Sequence, residues 1–182
     1  MAHPWHDLPN DSSHAPEWFN VVIEIPRGSK VEYELDKPTG LLREDRVLYS
    51  SVVYPANYGF LPRSYCGDGD PLDVLVLGHE PVQPKSIIHV RAIGVMRMTD
   101  EGETDDKIIA VQVHDPGFNG YRDIAELPAH VFQEMQRFFE DCTAVEEKEV
   151  VVENWGNAAK ALECVNESFE LYRREESRLR GW

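Results

Sequence analysis

Three carboxylates, Asp68, Asp70 and Asp73, crowd the run Asp68-Gly69-Asp70-Pro71-Leu72-Asp73, directly before the apolar stretch Val74-Leu75-Val76-Leu77. Ionised groups beside a segment that must be buried are costly unless something positive compensates them. No Lys or Arg occurs between Arg63 and Lys85, so a bound cation is the natural compensation. A carboxylate set without Cys or His suits a hard ion such as Mg²⁺ or Mn²⁺, which takes oxygen ligands and keeps waters and substrate phosphates in its other positions. An Asp/Gly/Pro turn that merely caps a strand has the same composition, and spacing alone leaves both readings open. A helix-loop-helix calcium site fits poorly, because the closing Glu is missing and a strand follows.

Other residues could join this chemistry. Glu24 is the single charge inside the apolar run Phe19 to Ile25, and once buried it needs a partner: an ion pair with Arg46, or a metal-bound water. Tyr54 and Tyr58 flank a Pro-Ala-Asn turn, where phenols either donate hydrogen bonds to an oxyanion or pack half-buried. Asp100, Glu101, Glu103, Asp105 and Asp106 form a second acidic loop closed by Lys107. Taken alone this is solvated hairpin charge; beside the first cluster it reads as the other half of a metal site.

The elements that must position these groups follow from periodicity. Phe19–Ile25 reads as a strand stopped by Pro26-Arg27-Gly28, and the alternation after Lys30 puts Val31, Tyr33 and Leu35 on one face and Lys30, Glu32 and Glu34 on the other. A turn over 36–40, a strand over Arg46–Val53 and a turn over Tyr54–Gly59 are predicted next, then a strand from Val74 and a hairpin formed by Ile87–Met98 and Lys107–Val113. Helical spacing of Val131, Phe132, Met135, Phe138, Phe139 and Cys142 follows Pro128, and a short strand over Glu149–Glu153 precedes a second helix from Asn157. These elements make an α+β fold, a small closed β-barrel with two helices packed outside. A closed barrel gathers strand-end loops at one rim, bringing Glu24, Asp68–Asp73 and Asp100–Asp105 to one pocket.

With 182 residues the chain suits one domain, taken as 18–182, preceded by a flexible or draped arm over 1–17 whose His3, His6 and His14 are not expected to hold metal. Eighteen basic against 33 acidic residues, a formal charge of -15, oppose binding to nucleic acid or an anionic membrane surface. Cys66, Cys142 and Cys164 are scattered and odd in number, as in a reduced, cytoplasmic protein, and no apolar stretch is long enough to span a bilayer.

These residues carry a resemblance. Asp68-Gly69-Asp70-Pro71-Leu72-Asp73-Val74 resembles the signature D-[SGDN]-D-[PE]-[LIVMF]-D-[LIVMGAC] of the soluble family I inorganic pyrophosphatases. Val22-Ile23-Glu24-Ile25-Pro26, Tyr54-Pro55-Ala56-Asn57-Tyr58-Gly59 and the run Asp100 through Lys107 are also similar to that family, most of all to its short plant-type members. The resemblance covers 19 to about 153 and implies a five-stranded barrel with two helices, of the oligonucleotide/oligosaccharide-binding type. It also implies Mg²⁺-dependent hydrolysis of diphosphate, a small-molecule substrate, to two phosphates; whether the chain forms a homo-oligomer is left open by the sequence. Carried over residue by residue, it makes Asp68, Asp70, Asp73, Asp100 and Asp105 metal ligands, with Glu24 holding a metal-bound water. Asp70 orients or deprotonates the attacking water, Arg46, Tyr58 and Lys107 hold phosphate oxygens, and Tyr54 is the candidate proton donor.

The chain departs from the family pattern at Glu32, where Lys is usual, and at Cys142-Thr143, where Tyr-Lys is usual. Lys30, two residues away on the same strand face, is the expected substitute cation. Two function classes follow: an active diphosphatase slowed by the lost contacts, or a metal-binding relative of weak hydrolysis that serves as a regulatory or subunit-pairing protein or takes another phosphoanhydride.

Overall fold

The computed structural model of the chain describes residues 2–49, 51–100, 102–144 and 150–181. Its strands are β1 (Phe19–Ile25), β2 (Val31–Asp36), β3 (Leu41–Val47), β4 (Asn57–Phe60), β5 (Asp73–Leu77), β6 (Ile87–Asp100), β7 (Glu103–Thr104), β8 (Lys107–Gln112) and β9 (Val150–Asn157); its helices are α1 (Ala129–Ala144) and α2 (Ala158–Leu179). The pairings run β1-β4-β5-β8-β6, and β6 pairs back onto β1, closing the five-strand ring that the sequence predicts. All ring pairings are antiparallel except β5–β8.

Alternation along the strands feeds two apolar clusters. Ile109 and Val111 of β8 join one with Leu75, Ile93 and α1 residues Met135, Phe138 and Phe139. Ile108 and Ala110 join the other with Val21, Ile23, Val74 and α2 residues Ala161, Val165 and Phe169. The period of two in the strands and of 3.6 in the helices therefore meet face to face. Helix α2 starts where Asn157 caps it, its side chain accepting from the Lys160 N–H at 3.0 Å.

The structure corrects three element boundaries. The strand expected over Arg46–Val53 is instead β3, ending at Val47, and its partner is β2 in a separate two-stranded sheet. Mostly exposed, β3 is held by ladder bonds and cross-strand charge pairs, which leave no apolar alternation to read, whereas Tyr49 beyond it is 95 % exposed. The turn expected over Tyr54–Gly59 contains β4. Asn57 there is fully buried, accepting from the Arg27 and Val82 amides at 3.0 and 2.7 Å and donating to Glu80 O at 3.0 Å. Gly59 lets β1 close in, since a Cβ there would stand 2.0 Å from Val22 O. β9 continues past the expected Glu153 to Asn157, while Glu149 lies outside the described residues.

Residues 2–17 lie against the body. Trp5 is buried with Val22, Phe60 and Tyr172 and donates to Ser64 O at 2.7 Å. His6 is buried too, with Nδ1 2.8 Å from the Tyr172 hydroxyl. Burial first, then the charges of His3 and Arg180, lower its pKa from 6.5 to about 4. A neutral buried His is disfavoured once the unfolded chain takes up the proton, so this stability is present above pH 6.5 and is lost as pH falls from 6.5 towards 4. The melting temperature is expected to drop across that window, and His6→Gln to flatten the drop; an unchanged slope in a thermal pH series would remove His6 as its source.

Candidate active site

The acidic turn is fixed before any ligand is considered. Gly69 takes a φ of 92°, which glycine alone adopts freely. The Cys66 amide donates to Asp70 O at 2.8 Å and the Asp70 amide to Asp68 Oδ1 at 2.9 Å. So held, Asp68, Asp70 and Asp73 line a cavity of about 840 Å³ together with Asp105, Glu24 and Tyr58.

The parallel register of β5 and β8 sets Asp73 beside Lys107, the first residues of their strands. Lys107 Nζ lies 2.8 Å from Asp73 Oδ2 and 2.9 Å from Asp105 Oδ1, and the Tyr58 hydroxyl donates to the same Asp73 oxygen at 2.5 Å. Burial works against the Lys107 charge, but the two carboxylates overcome it and hold its pKa above the ordinary lysine value. Lys107 thus stands beneath two aspartates as a fixed cation rather than on the cavity wall.

Glu24 sits at the bulge where β1 changes register against β4, and Leu35 N–H donates to its Oε1 at 2.8 Å. Burial and the charge of Asp73 push its pKa well up, with the Leu35 bond pulling the other way. Asp68 rises to about 6 through burial and the repulsion of Asp70 and Asp73, opposed by the Asp70 amide. Both shifts come first from burial and then from the gathered negative charge.

The hairpin of β2 and β3 forms the opposite wall with Glu32, Glu34, Asp36, Lys37, Arg43 and Asp45. Register makes Glu32 and Arg46 direct neighbours across the two strands, and Arg46 Nε donates to Glu32 Oε2 at 2.5 Å. The ion pair weighed for Glu24 is therefore made by Glu32. Tyr54 is buried against Phe138, ring centroids 4.5 Å apart, and burial with the charge and hydrogen bond of Glu32 raises its pKa well above the tyrosine range. Cys142 is buried beside the same group, its thiol pushed up to about 11 by burial and then by Glu32.

The structure thus brings Asp68, Asp70, Asp73, Asp105, Glu24 and Tyr58 together on one cavity, and sets Arg46, Tyr54, Lys107 and Cys142 behind its lining. Lys30 is exposed and does not line the cavity. Asp100 ends β6, but its side chain and that of Thr143 lie outside what the structure describes. Sequence reasoning missed Glu34 and Lys37. The alternation that put Glu32 and Glu34 on one face was the available signal for the first; nothing local marks the second.

A five-strand ring with an oxygen-only acidic cavity at the start of two parallel strands defines a class of protein suited to phosphate chemistry with hard cations. The comparisons are specific about which: the inorganic pyrophosphatase family model matches residues 21–173. The soluble inorganic pyrophosphatase of Oryza sativa subsp. japonica is 58% identical over 171 residues, covering 94% of this chain and 79% of its own. Soluble inorganic pyrophosphatase 2 of Chlamydomonas reinhardtii is 56% identical over 94% of this chain and 88% of its own. The crystal structure of inorganic pyrophosphatase from Thermus thermophilus superposes with a TM-score of 0.89 at 39% identity, over 94% of this chain and 99% of that one. The chain belongs to the inorganic pyrophosphatase family.

Proposed function

We propose that this protein hydrolyses inorganic diphosphate to two orthophosphates with the help of divalent ions, Mg²⁺ first and Mn²⁺ as a substitute. The observation that carries the reading is the convergence of Asp68, Asp70, Asp73, Asp105 and Glu24 on one cavity. The donor set suits such ions in its chemistry, since every one of these groups offers oxygen, none sulfur or imidazole. Among the described residues no three of them close on a single point, Asp70 being held by Lys37 and Asp73 and Asp105 by Lys107. Bound divalent ions supply Lewis-acid charge at the phosphate and acidify water.

The chain's own residues do the rest. Asp70, half-exposed at the cavity, orients the attacking water and takes its proton. Lys107 bonds to both Asp73 and Asp105 and keeps their carboxylates aimed, and Tyr58 orients Asp73 through its hydroxyl while facing the cavity. Tyr54, buried behind the lining and hydrogen-bonded to Glu32, stays protonated and serves as donor to the released phosphate only after parting from Glu32. Arg46 contacts phosphate only after parting from Glu32, and Asp100 completes the ligand set in this reading. The free thiols Cys66, Cys142 and Cys164 support a reducing, cytoplasmic setting. Among the described residues no helix is long and apolar enough to cross a membrane.

The test is phosphate release from diphosphate. Activity is expected with Mg²⁺, none in excess chelator, and suppression by Ca²⁺, whose larger radius and looser coordination misplace the attacking water. Full turnover in chelator would rule the reading out. The Glu32–Arg46 pair favours a second reading, a metal-binding relative of weak hydrolysis with a regulatory role or another phosphoanhydride substrate. Metal binding without phosphate release in the same assay would select it.

A further inference from the structure

Of the charged groups on the cavity wall, the cations are Lys37 and Arg43. Arg43 pairs with Asp36 on its own hairpin. Lys37, the first residue of the turn between β2 and β3, instead crosses the cavity: its Nζ pairs with Asp70 Oδ1 and donates to Gly69 O at 3.3 Å. The turn that carries it is anchored by backbone contacts, Lys37 O lying 2.8 Å from His3 Nε2 and Gly40 O accepting from Lys85 Nζ at 3.3 Å. The backbone of Lys37 is therefore placed over the acidic turn, while its half-exposed, four-carbon stem is the part free to swing.

We propose that Lys37 is a substrate-binding residue of this site: its ammonium neutralises Asp70 before divalent ions bind, and grips a terminal phosphate of the substrate once they have taken its place. A divalent ion bound at Asp70 would repel the ammonium from the shared carboxylate, and the long stem of Lys37 would let the ammonium move aside within its reach. There it faces the phosphate seat from the hairpin side, the wall on which this chain carries Glu32 and on which Lys30 does not stand. The positive charge missing at Glu32 is thus supplied from the turn just beyond the far end of β2.

This inference rests on the diphosphatase reading, and its test keeps the two apart by including binding measurements. In the full chain, Lys37→Gln should tighten Mg²⁺ binding about threefold in calorimetry without substrate, the modest effect of removing a half-exposed competing pair. It should weaken binding of the non-hydrolysable imidodiphosphate, and raise KM for magnesium diphosphate, by about tenfold, as befits one charge-assisted hydrogen bond. The loss should fall in KM rather than kcat, and Lys37→Arg, which keeps the charge, should recover most of it. A purely structural lysine would show neither the opposed changes in ion and imidodiphosphate affinity nor the rescue. If Lys37→Gln leaves imidodiphosphate affinity within about twofold, against the expected tenfold, or weakens Mg²⁺ binding, the proposal fails. If the unaltered protein releases no phosphate, the diphosphatase reading fails while the two binding arms still decide the role of Lys37.

Discussion

Asp70→Asn is expected to lower kcat by about 10² to 10⁴, the usual contribution of a general base, with the fold intact. The substitution keeps the shape of the side chain and removes one charge and one proton acceptor. The turn itself survives, because Asp70 contributes to it through backbone groups, its amide on Asp68 and its carbonyl on Cys66. The lost ion pair with Lys37 is half-exposed on both sides, so stability should change by less than about 1 kcal/mol. Steady-state phosphate release and a thermal melt measured on the same preparation check both halves. A variant within about threefold of the parent, where the base's usual effect is at least 10², would move the role to another carboxylate of the cavity.

Restoring the family pattern should act in the opposite direction. Glu32→Lys with Cys142→Tyr and Thr143→Lys is expected to raise kcat/KM for magnesium diphosphate by at least about tenfold, or 1.4 kcal/mol. The structure supplies the reason for putting Glu32 first. Its carboxylate occupies the Arg46 guanidinium at 2.5 Å and faces the cavity, so it both repels phosphate and detains a cation proposed to bind it. Each lost donor to a reacting oxyanion typically costs about 2.7 to 4 kcal/mol, but neighbouring contacts do not add, which keeps the expected gain well below the sum. Cys142 is 9% exposed, and placing Tyr there can overpack the end of α1 at a cost of about 1–3 kcal/mol. Glu32→Lys alone is therefore measured beside the triple variant, with a melting temperature for each. Lys30→Ala should be nearly silent, because Lys30 does not line the cavity. No gain from either Glu32→Lys or the triple variant would mean that these positions do not govern phosphate binding here.

The acidic turn was legible in the sequence because its chemistry is local. Asp68, Asp70 and Asp73 fall within six residues, Gly69 supplies the conformation, and the apolar run behind them states that the strand is buried. The strands β1, β5 and β8 were legible because burial on both faces makes them short apolar runs, and both helices because each buries one face and writes a 3.6-residue period into the chain. Neither β3 nor β4 was. β3 gains its place from cross-strand pairing without burial, and β4 is turn-like in composition because Asn57 and Gly59 meet demands made by distant segments, the loops at Arg27 and Val82 and the close approach of β1.

By itself, then, the amino-acid sequence determined the oxygen-only make-up of the acidic turn and the fold class. Which charges neutralise one another was decided only by the tertiary structure. Glu32 meets Arg46 through the register of a hairpin, Lys107 meets Asp73 through the parallel register of two strands far apart in sequence, and Lys37 meets Asp70 across the cavity. The physical reason is that Coulomb attraction depends on separation in space, and strand register, set by packing over the whole ring, brings together charges that no local pattern relates.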